Sequence, residues 1–193
     1  MHYFTKLDSG IDVAPLVAAL DAHPELWDAN GFRKNGQGTP HARMSDIWVR
    51  YNDVAPYAAR GDYAGFNDAH VPIWYPAYDV LRAALDPLLF PLMQRVSGEM
   101  LGGILITRIP AGEAIAPHVD RGWHVEYYDK FYLSLRSAPG AIFQCGDEFI
   151  NPEPGDLYHF DNRLEHWVKN ESDSDRMTLI VCIRADRRRW SPC

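Results

Sequence analysis

The stretch LGGILITRIPAGEAIAPHVD, residues 101–120, marks a change in the character of the chain. Runs rich in Ile, Leu and Val stand on either side of a Pro-Ala-Gly break, which reads as a strand over 103–109, a turn, and a strand over 115–120. Further short runs follow at 131–136, 141–145, 155–160, 166–170 and 177–184, separated by Gly, Pro, Asn and Asp clusters such as Pro139-Gly140 and Pro154-Gly155. Seven strands at this spacing imply a sandwich or barrel and not a parallel α/β sheet. An antiparallel jelly roll with helices packed on one outer face fits best, so the expected class is mainly β with helical support (α+β).

Before residue 101 the chain is more helical and loopy. Val13, Leu16, Val17 and Leu20 recur at helical spacing behind Asp12, a candidate N-cap, and this helix should end before Pro24. Residues 47–51 read as a strand, and the Gly-, Ala-, Asp- and Tyr-rich stretch to about 69 as a loop. A longer helix starts after Pro72 and runs through Tyr78, Leu81, Leu85, Leu88 and Leu89 towards Val96, bent or interrupted at Pro87 and Pro91. A chain of 193 residues fits a single domain. Its expected parts are helical support and a substrate lid over 1–100, a jelly-roll core over 101–184, and a tail over 185–193.

Charge narrows the function classes. Nineteen Lys and Arg against 26 Asp and Glu leave a net charge of -7, which argues against a broad grip on phosphate backbones. The Arg187-Arg188-Arg189 cluster reads as a solvated end. Cys145, Cys182 and Cys193 form no CxxC spacing, against a disulfide framework or structural zinc cluster and in keeping with a reducing compartment. The start lacks a basic segment followed by an apolar core, and no apolar run approaches the roughly 18 residues of a membrane span. The expectation is a cytoplasmic protein with no nucleic-acid or membrane partner.

His118 and Asp120 carry the chemistry. In a strand, residues i and i+2 share a face, so the two can present an imidazole and a carboxylate side by side. An HxD pair alone fits a hydrogen-bonded structural histidine as well as a ligand. His166, at the start of a later strand, can add a third donor, and two histidines with one carboxylate on one face of a metal make the arrangement of non-haem Fe(II) oxygenases. Arg176 and Thr178 follow, sharing a face by the same rule. A fixed guanidinium beside a hydroxyl suits a buried dicarboxylate, because the planar fork binds a carboxylate in bidentate fashion.

The order HxD, His, Arg-x-Thr resembles the Fe(II)- and 2-oxoglutarate-dependent oxygenases with a double-stranded β-helix core. Within them, Ile115-Ala-Pro-His-Val-Asp120, Lys130-Phe-Tyr-Leu-Ser-Leu135, Cys145-Gly-Asp-Glu148, Pro154-Gly-Asp156, Phe160-Asp-Asn162, His166-Trp-Val-Lys-Asn170 and Arg176 through Ile183 are similar to the aspartyl/asparaginyl β-hydroxylase branch. The resemblance implies that His118, Asp120 and His166 hold Fe(II) and that Arg176 pairs with the distal carboxylate of 2-oxoglutarate, helped by Thr178. The branch's Arg-x-His pair on the central strand stands here as Lys130-Phe131-Tyr132, which makes Tyr132 and Lys130 the candidates for a second cosubstrate contact. It also implies O2 as co-reactant, supportive ascorbate, release of succinate and CO2, and hydroxylation of an amino acid, a peptide or protein side chain, or a related small metabolite. The alternatives are a metal-dependent cupin enzyme that needs no cosubstrate, and a non-catalytic jelly-roll binding module.

Other residues keep two readings. Trp123 and His124 follow the HxD on an expected loop over the site and either touch substrate or pack. Arg50 can reach a substrate carboxylate or form an ordinary ion pair. Arg136 alternates with Tyr132 and Ser134, so it faces the cavity or finishes its strand at the rim. His159 reads as structural, Cys145 and Cys182 as buried and inert, and His2, His23, His41 and His70 have no partner spacing.

Overall fold

The computed structural model describes residues 3–35 and 39–191; His2, Cys193 and residues 36–38 lie outside the described residues. In chain order its elements are β1 (Phe4–Asp8), α1 (Ala14–Ala22), α2 (Phe32–Asn35), β2 (Ser45–Tyr51), α3 (Ala55–Arg60), β3 (Ile73–Trp74), α4 (Pro76–Arg95), β4 (Gly98–Ile109) and β5 (Ala114–His118). Then come α5 (Trp123–Tyr127), β6 (Asp129–Arg136), β7 (Ala141–Cys145), β8 (Glu148–Ile150), β9 (Leu157–Phe160), β10 (His166–Asn170) and β11 (Arg176–Ala185). The seven expected strands are present, within a few residues of the expected ends.

They form two antiparallel sheets, one ordered β1-β9-β6-β11-β4-β2-β3 and the other β5-β10-β7-β8. Alternation along the larger sheet separates two cores. Phe131, Leu133 and Leu135 of β6, with Met177, Leu179, Val181 and Ile183 of β11, pack against Leu16 and Leu20 of α1 and Leu81, Leu85, Leu89 and Leu92 of α4. Phe4, Ile109, Tyr132, Tyr158 and Phe160 turn the other way, to meet Ile115, Phe143, Cys145, Ile150 and Val168 of the smaller sheet. Burying these side chains drives the layers together at roughly 25 cal/mol per Å² of apolar surface.

Several expectations change. The first hundred residues are not only helical support, because β1, β2 and β3 join the larger sheet. The expected 52–69 loop contains α3, whose C-cap Gly61 takes the left-handed conformation (φ 66°) that a glycine adopts without a Cβ penalty. Asp12 is not the geometric N-cap of α1; Val13 is, and the Asp12 carboxylate accepts the Ala14 N–H at 3.1 Å. Helix α4 runs through Pro87 and Pro91 unbroken. Each proline removes a bond to the carbonyl four residues back, and those carbonyls belong to Ala83 and Pro87, both exposed, where water can replace the missing N–H. The C-terminal segment also folds back: Arg187 pairs with the buried Asp129 at 2.8 Å, and Trp190 packs on Phe131 and His159. No helix among the described residues is long and apolar enough to cross a membrane.

Candidate metal centre and its two cavities

Strands β5 and β10 pair with His118 opposite His166, so the two imidazoles meet across the ladder with ring centroids 4.3 Å apart. Each donates its Nδ1–H to the carbonyl two residues back, His118 to Ala116 at 2.8 Å and His166 to Leu164 at 2.9 Å. A carbonyl can only accept, so both Nε2 atoms are left with free lone pairs. Asp120 arrives differently from the period-two expectation. Strand β5 ends at His118, and Asp120 is held two residues beyond it by its N–H to the Asn162 carbonyl at 3.2 Å. The chain then turns at Gly122, whose φ of 104° favours glycine, into α5.

His118, Asp120 and His166 can each offer one ligand atom, all within 4.8 Å of one another. Asp120 Oδ1 lies 3.8 Å from His118 Nε2, while Oδ2 accepts from Lys130 Nζ at 2.5 Å and Asn162 Nδ2 at 2.9 Å. Burial raises the Asp120 pKa, but the Lys130 ammonium and the hydrogen bonds from Lys130 and Asn162 outweigh it and hold the carboxyl well below its usual range. The donor set is two imidazoles and one carboxylate, the chemistry of a 2-His-1-carboxylate site. Burial pushes the His166 imidazole down to about 4, which keeps its Nε2 free of a proton at neutral pH.

An inner cavity extends from this triad into the barrel, lined among others by His118, His166, Tyr132, Phe143, Arg176 and Thr178. Arg176 is fully buried, and its Nη2 donates to the Tyr132 hydroxyl at 2.6 Å. Among the described residues no carboxylate pairs with it, and its Nε and the Thr178 Oγ1 are buried without a hydrogen-bond partner. A buried cation and hydroxyl left unpaired by the protein fit an anionic ligand. An outer cavity of about 370 Å³ opens on the other side of Lys130, between the N-terminal segment and α5, with Tyr51, Asp120, Arg121, His124 and Tyr128 among its lining.

Other candidates fall unevenly. Lys130 lines both cavities, with its ammonium on Asp120. His124, on α5 and not on a loop, lines the outer cavity, whereas Trp123 packs against Tyr127, Tyr128 and His70. The structure does not bring Arg136 to the site. Arg136 pairs with Met177 and Ser134 with Thr178, so Leu135 is an extra residue that reverses the alternation, and the Arg136 guanidinium meets Asp21 of α1 at 2.8 Å. Arg50 lies over Trp74 at 4.8 Å and donates to the Leu101 carbonyl, with no ion pair to a described carboxylate and no place in either cavity wall. His159 packs on Phe131 and Trp190. Burial pushes the Cys145 thiol up to about 12 and that of Cys182 to about 11, so both stay protonated.

Sequence reasoning left two residues unassigned that the fold brings to the site. Arg33 and His41 line both cavities, and the His41 ring stands 5.3 Å from that of His118. Neither lies in a periodic run, and His41 offers no spacing to a partner, so only tertiary structure reveals them.

The architecture has solved counterparts. A crystal structure of an oxidoreductase of the 2OG-Fe(II) oxygenase family from Burkholderia pseudomallei aligns with a TM-score of 0.61 at 14% identity, covering 97% of this chain and 88% of that one. The viral collagen prolyl hydroxylase of Paramecium Bursaria Chlorella virus-1, solved with 2OG, aligns at 0.51 and 11% identity over 96% and 97%. At such identities the likeness is one of fold. No protein of curated function matches the sequence. The sequence model of the aspartyl/asparaginyl beta-hydroxylases matches residues 84–185, the span that contains the triad, Lys130, Tyr132, Arg176 and Thr178, and on that match the chain belongs to this family.

Proposed function

We propose that the protein is an Fe(II)- and 2-oxoglutarate-dependent dioxygenase that hydroxylates an amino acid, a peptide or protein side chain, or a related small metabolite, with release of succinate and CO2. The observation that carries this reading is Arg176, a buried guanidinium without an anionic partner among the described residues, at the end of a cavity that begins at a His-Asp-His triad. A cupin that needs no cosubstrate has no use for it.

In this reading His118 Nε2, a carboxylate oxygen of Asp120 and His166 Nε2 would hold Fe(II), and Arg176 would take the distal carboxylate of 2-oxoglutarate. The metal and cosubstrate would supply the oxidative chemistry, in which O2 is reduced as 2-oxoglutarate is decarboxylated and a substrate C–H bond is hydroxylated. The protein's own residues position and protect. The Ala116 and Leu164 carbonyls fix the histidine tautomers, Lys130 and Asn162 orient Asp120 and keep it ionised, and Tyr132 aims Arg176. Thr178 Oγ1, free of protein partners, is available to the same carboxylate. Phe143, Phe160, Ile115 and Val168 keep water from the inner cavity. His124 on the outer cavity is the candidate substrate contact that remains, and the free Cys145 and Cys182 are in keeping with a cytoplasmic setting.

The test is calorimetric titration of 2-oxoglutarate into metal-loaded protein, followed by a screen of amino acids and peptides for stimulated succinate release with Fe(II) and ascorbate present. Binding that needs both the metal and Arg176 is the expected result. Metal loading without any binding of 2-oxoglutarate would favour the cosubstrate-free cupin, and failure to load metal the binding module.

A further inference from the structure

The inner and outer cavities share a wall made of Arg33, His41, Lys130 and Ile180. Lys130 is engaged with Asp120, which leaves Arg33 and His41 as the polar groups of that wall whose purpose is unaccounted for. Both come from the N-terminal segment, outside the span matched by the family. Arg33 Nη2 lies 3.2 Å from His41 Nε2. A guanidinium can only donate, so Nε2 is the acceptor and the ring proton sits on Nδ1. That Nδ1–H is buried and has no hydrogen-bond partner, the only imidazole donor so placed among the described residues. A buried donor in a cavity wall is satisfied by a ligand or by water.

The segment is built to hold this pair still. Arg33 Nη1 is anchored to the buried Asp46 carboxylate at 2.8 Å. Thr39 donates its hydroxyl to the Arg33 carbonyl at 2.8 Å and accepts the His41 N–H at 3.2 Å. Asp28 in turn gathers the Lys34 ammonium, the Ser45 hydroxyl and the Asp46 N–H. Of the cations that line the two cavities, Arg33 is paired with Asp46 and Lys130 with Asp120, while Arg121 and Arg176 have no carboxylate partner among the described residues, which leaves a positive surplus. The acceptor expected at His41 is therefore anionic.

We propose that Arg33 and His41 form a carboxylate-recognising unit, in which His41 Nδ1–H donates to a ligand carboxylate oxygen beside the triad and Arg33 fixes the tautomer and adds positive charge. The proposal rests on the oxygenase reading above. The carboxylate is that of 2-oxoglutarate if the ligand lies in the inner cavity and that of an amino-acid substrate if it lies in the outer one. His41 is a binding residue and Arg33 a positioning residue.

Zinc-loaded wild-type protein carrying 15N-histidine gives a direct test, because two-bond 1H–15N spectra report the tautomer of each imidazole; His41→Asn identifies the His41 signals. The expected result is an Nδ1–H tautomer whose proton moves downfield on adding a carboxylate ligand. A response to 2-oxoglutarate assigns the cosubstrate, and a response to one of the free L-amino acids but not to its C-terminal amide assigns the substrate. An Nε2–H tautomer, or no response to either class, overturns the proposal. Calorimetry adds a second readout: His41→Ala weakens the responding ligand about 10-fold, and His41→Asn, whose amide N–H falls near the Nδ1 position, recovers most of the loss. Equal losses in both variants would mark His41 as merely structural and also overturn it. A wild type that binds no 2-oxoglutarate, with Arg176→Ala indistinguishable from it, would instead sink the oxygenase reading, and the amino-acid arm would then decide the fate of the unit alone.

Discussion

On β11, Met177, Leu179, Val181 and Ile183 face α1 and α4, while Arg176, Thr178, Ile180 and Cys182 alternate with them towards the two cavities. The helix-facing set is apolar, and each member is almost wholly buried. On the cavity side, Arg176 Nε and Thr178 Oγ1 have no hydrogen-bond partner. One strand thus carries folding free energy on one side and unsatisfied binding capacity on the other, and a buried polar group left unpaired until ligand arrives lowers the stability of the free protein. The difference predicts that substitutions on the two faces fail in different assays.

The largest effect should come at the triad. Asp120→Ala and His166→Ala are each expected to weaken metal binding by about 100-fold or more, since each removes a ligand outright and not an outer-shell support. Succinate release should fall below detection. Metal titration checks this, and near-normal affinity in either variant would remove that residue from the site.

Arg176→Met sets the faces against each other. It should weaken 2-oxoglutarate about 100-fold, the scale of losing charge-assisted hydrogen bonds of about 1.5–3 kcal/mol. In the ligand-free protein the same change should be neutral or slightly stabilising, because it removes a buried charge that has no carboxylate partner among the described residues. Leu179→Ala, three residues along on the opposite face, should do the reverse: a loss of about 2–5 kcal/mol in stability with 2-oxoglutarate affinity of the folded protein unchanged. Denaturant unfolding and calorimetry on both variants would break the comparison if Arg176→Met unfolded as readily as Leu179→Ala.

His159 tests the helix-facing layer at low pH. Its ring packs on Phe131 and Trp190, and burial pushes its pKa from 6.5 down to about 4. The 3.8 Å separation from Asp129 is too long for a hydrogen bond that would hold the charged form. A histidine whose folded pKa is depressed takes up protons first in the unfolded chain, so its contribution is intact above about 6.5 and is lost as pH falls towards about 4. At pH 5 that loss is about 2 kcal/mol. His159→Phe should flatten the fall in unfolding free energy between pH 7 and pH 5 by that amount, and an unchanged slope would mean the ring is charged in the fold.

The barrel and most of its chemistry were legible because a two-residue period shows in any alternating run. Arg176 and Thr178 share a face by it, whereas Tyr132 was legible only through the resemblance to the β-hydroxylase branch. Asp120 was legible as a partner of His118, yet for a different reason from the one that holds: β5 stops at His118, and a loop pinned by Asn162 delivers the carboxylate. Arg33 and His41 were not legible, because their positions depend on a tertiary network from Asp28 to Asp46 that leaves no periodic trace. Strands β1 and β8 escaped as short segments at sheet edges, where pairing with a neighbour and not their own pattern decides the structure.

Arg136 shows where the period misleads, and it carries the smallest expected effect. Counting from Tyr132 and Ser134 puts it in the cavity, but the bulge at Leu135 shifts the count by one and sends it out to Asp21, where both partners are well exposed. An exposed ion pair of this kind contributes at most about 1 kcal/mol and is screened by salt. Arg136→Ala should therefore change stability by less than about 1 kcal/mol, with a smaller change at high ionic strength, and should leave 2-oxoglutarate and substrate dependence as in the wild type. A raised KM for substrate in this variant would mean that the alternation runs unbroken to the end of β6 and that the guanidinium reaches the cavity after all.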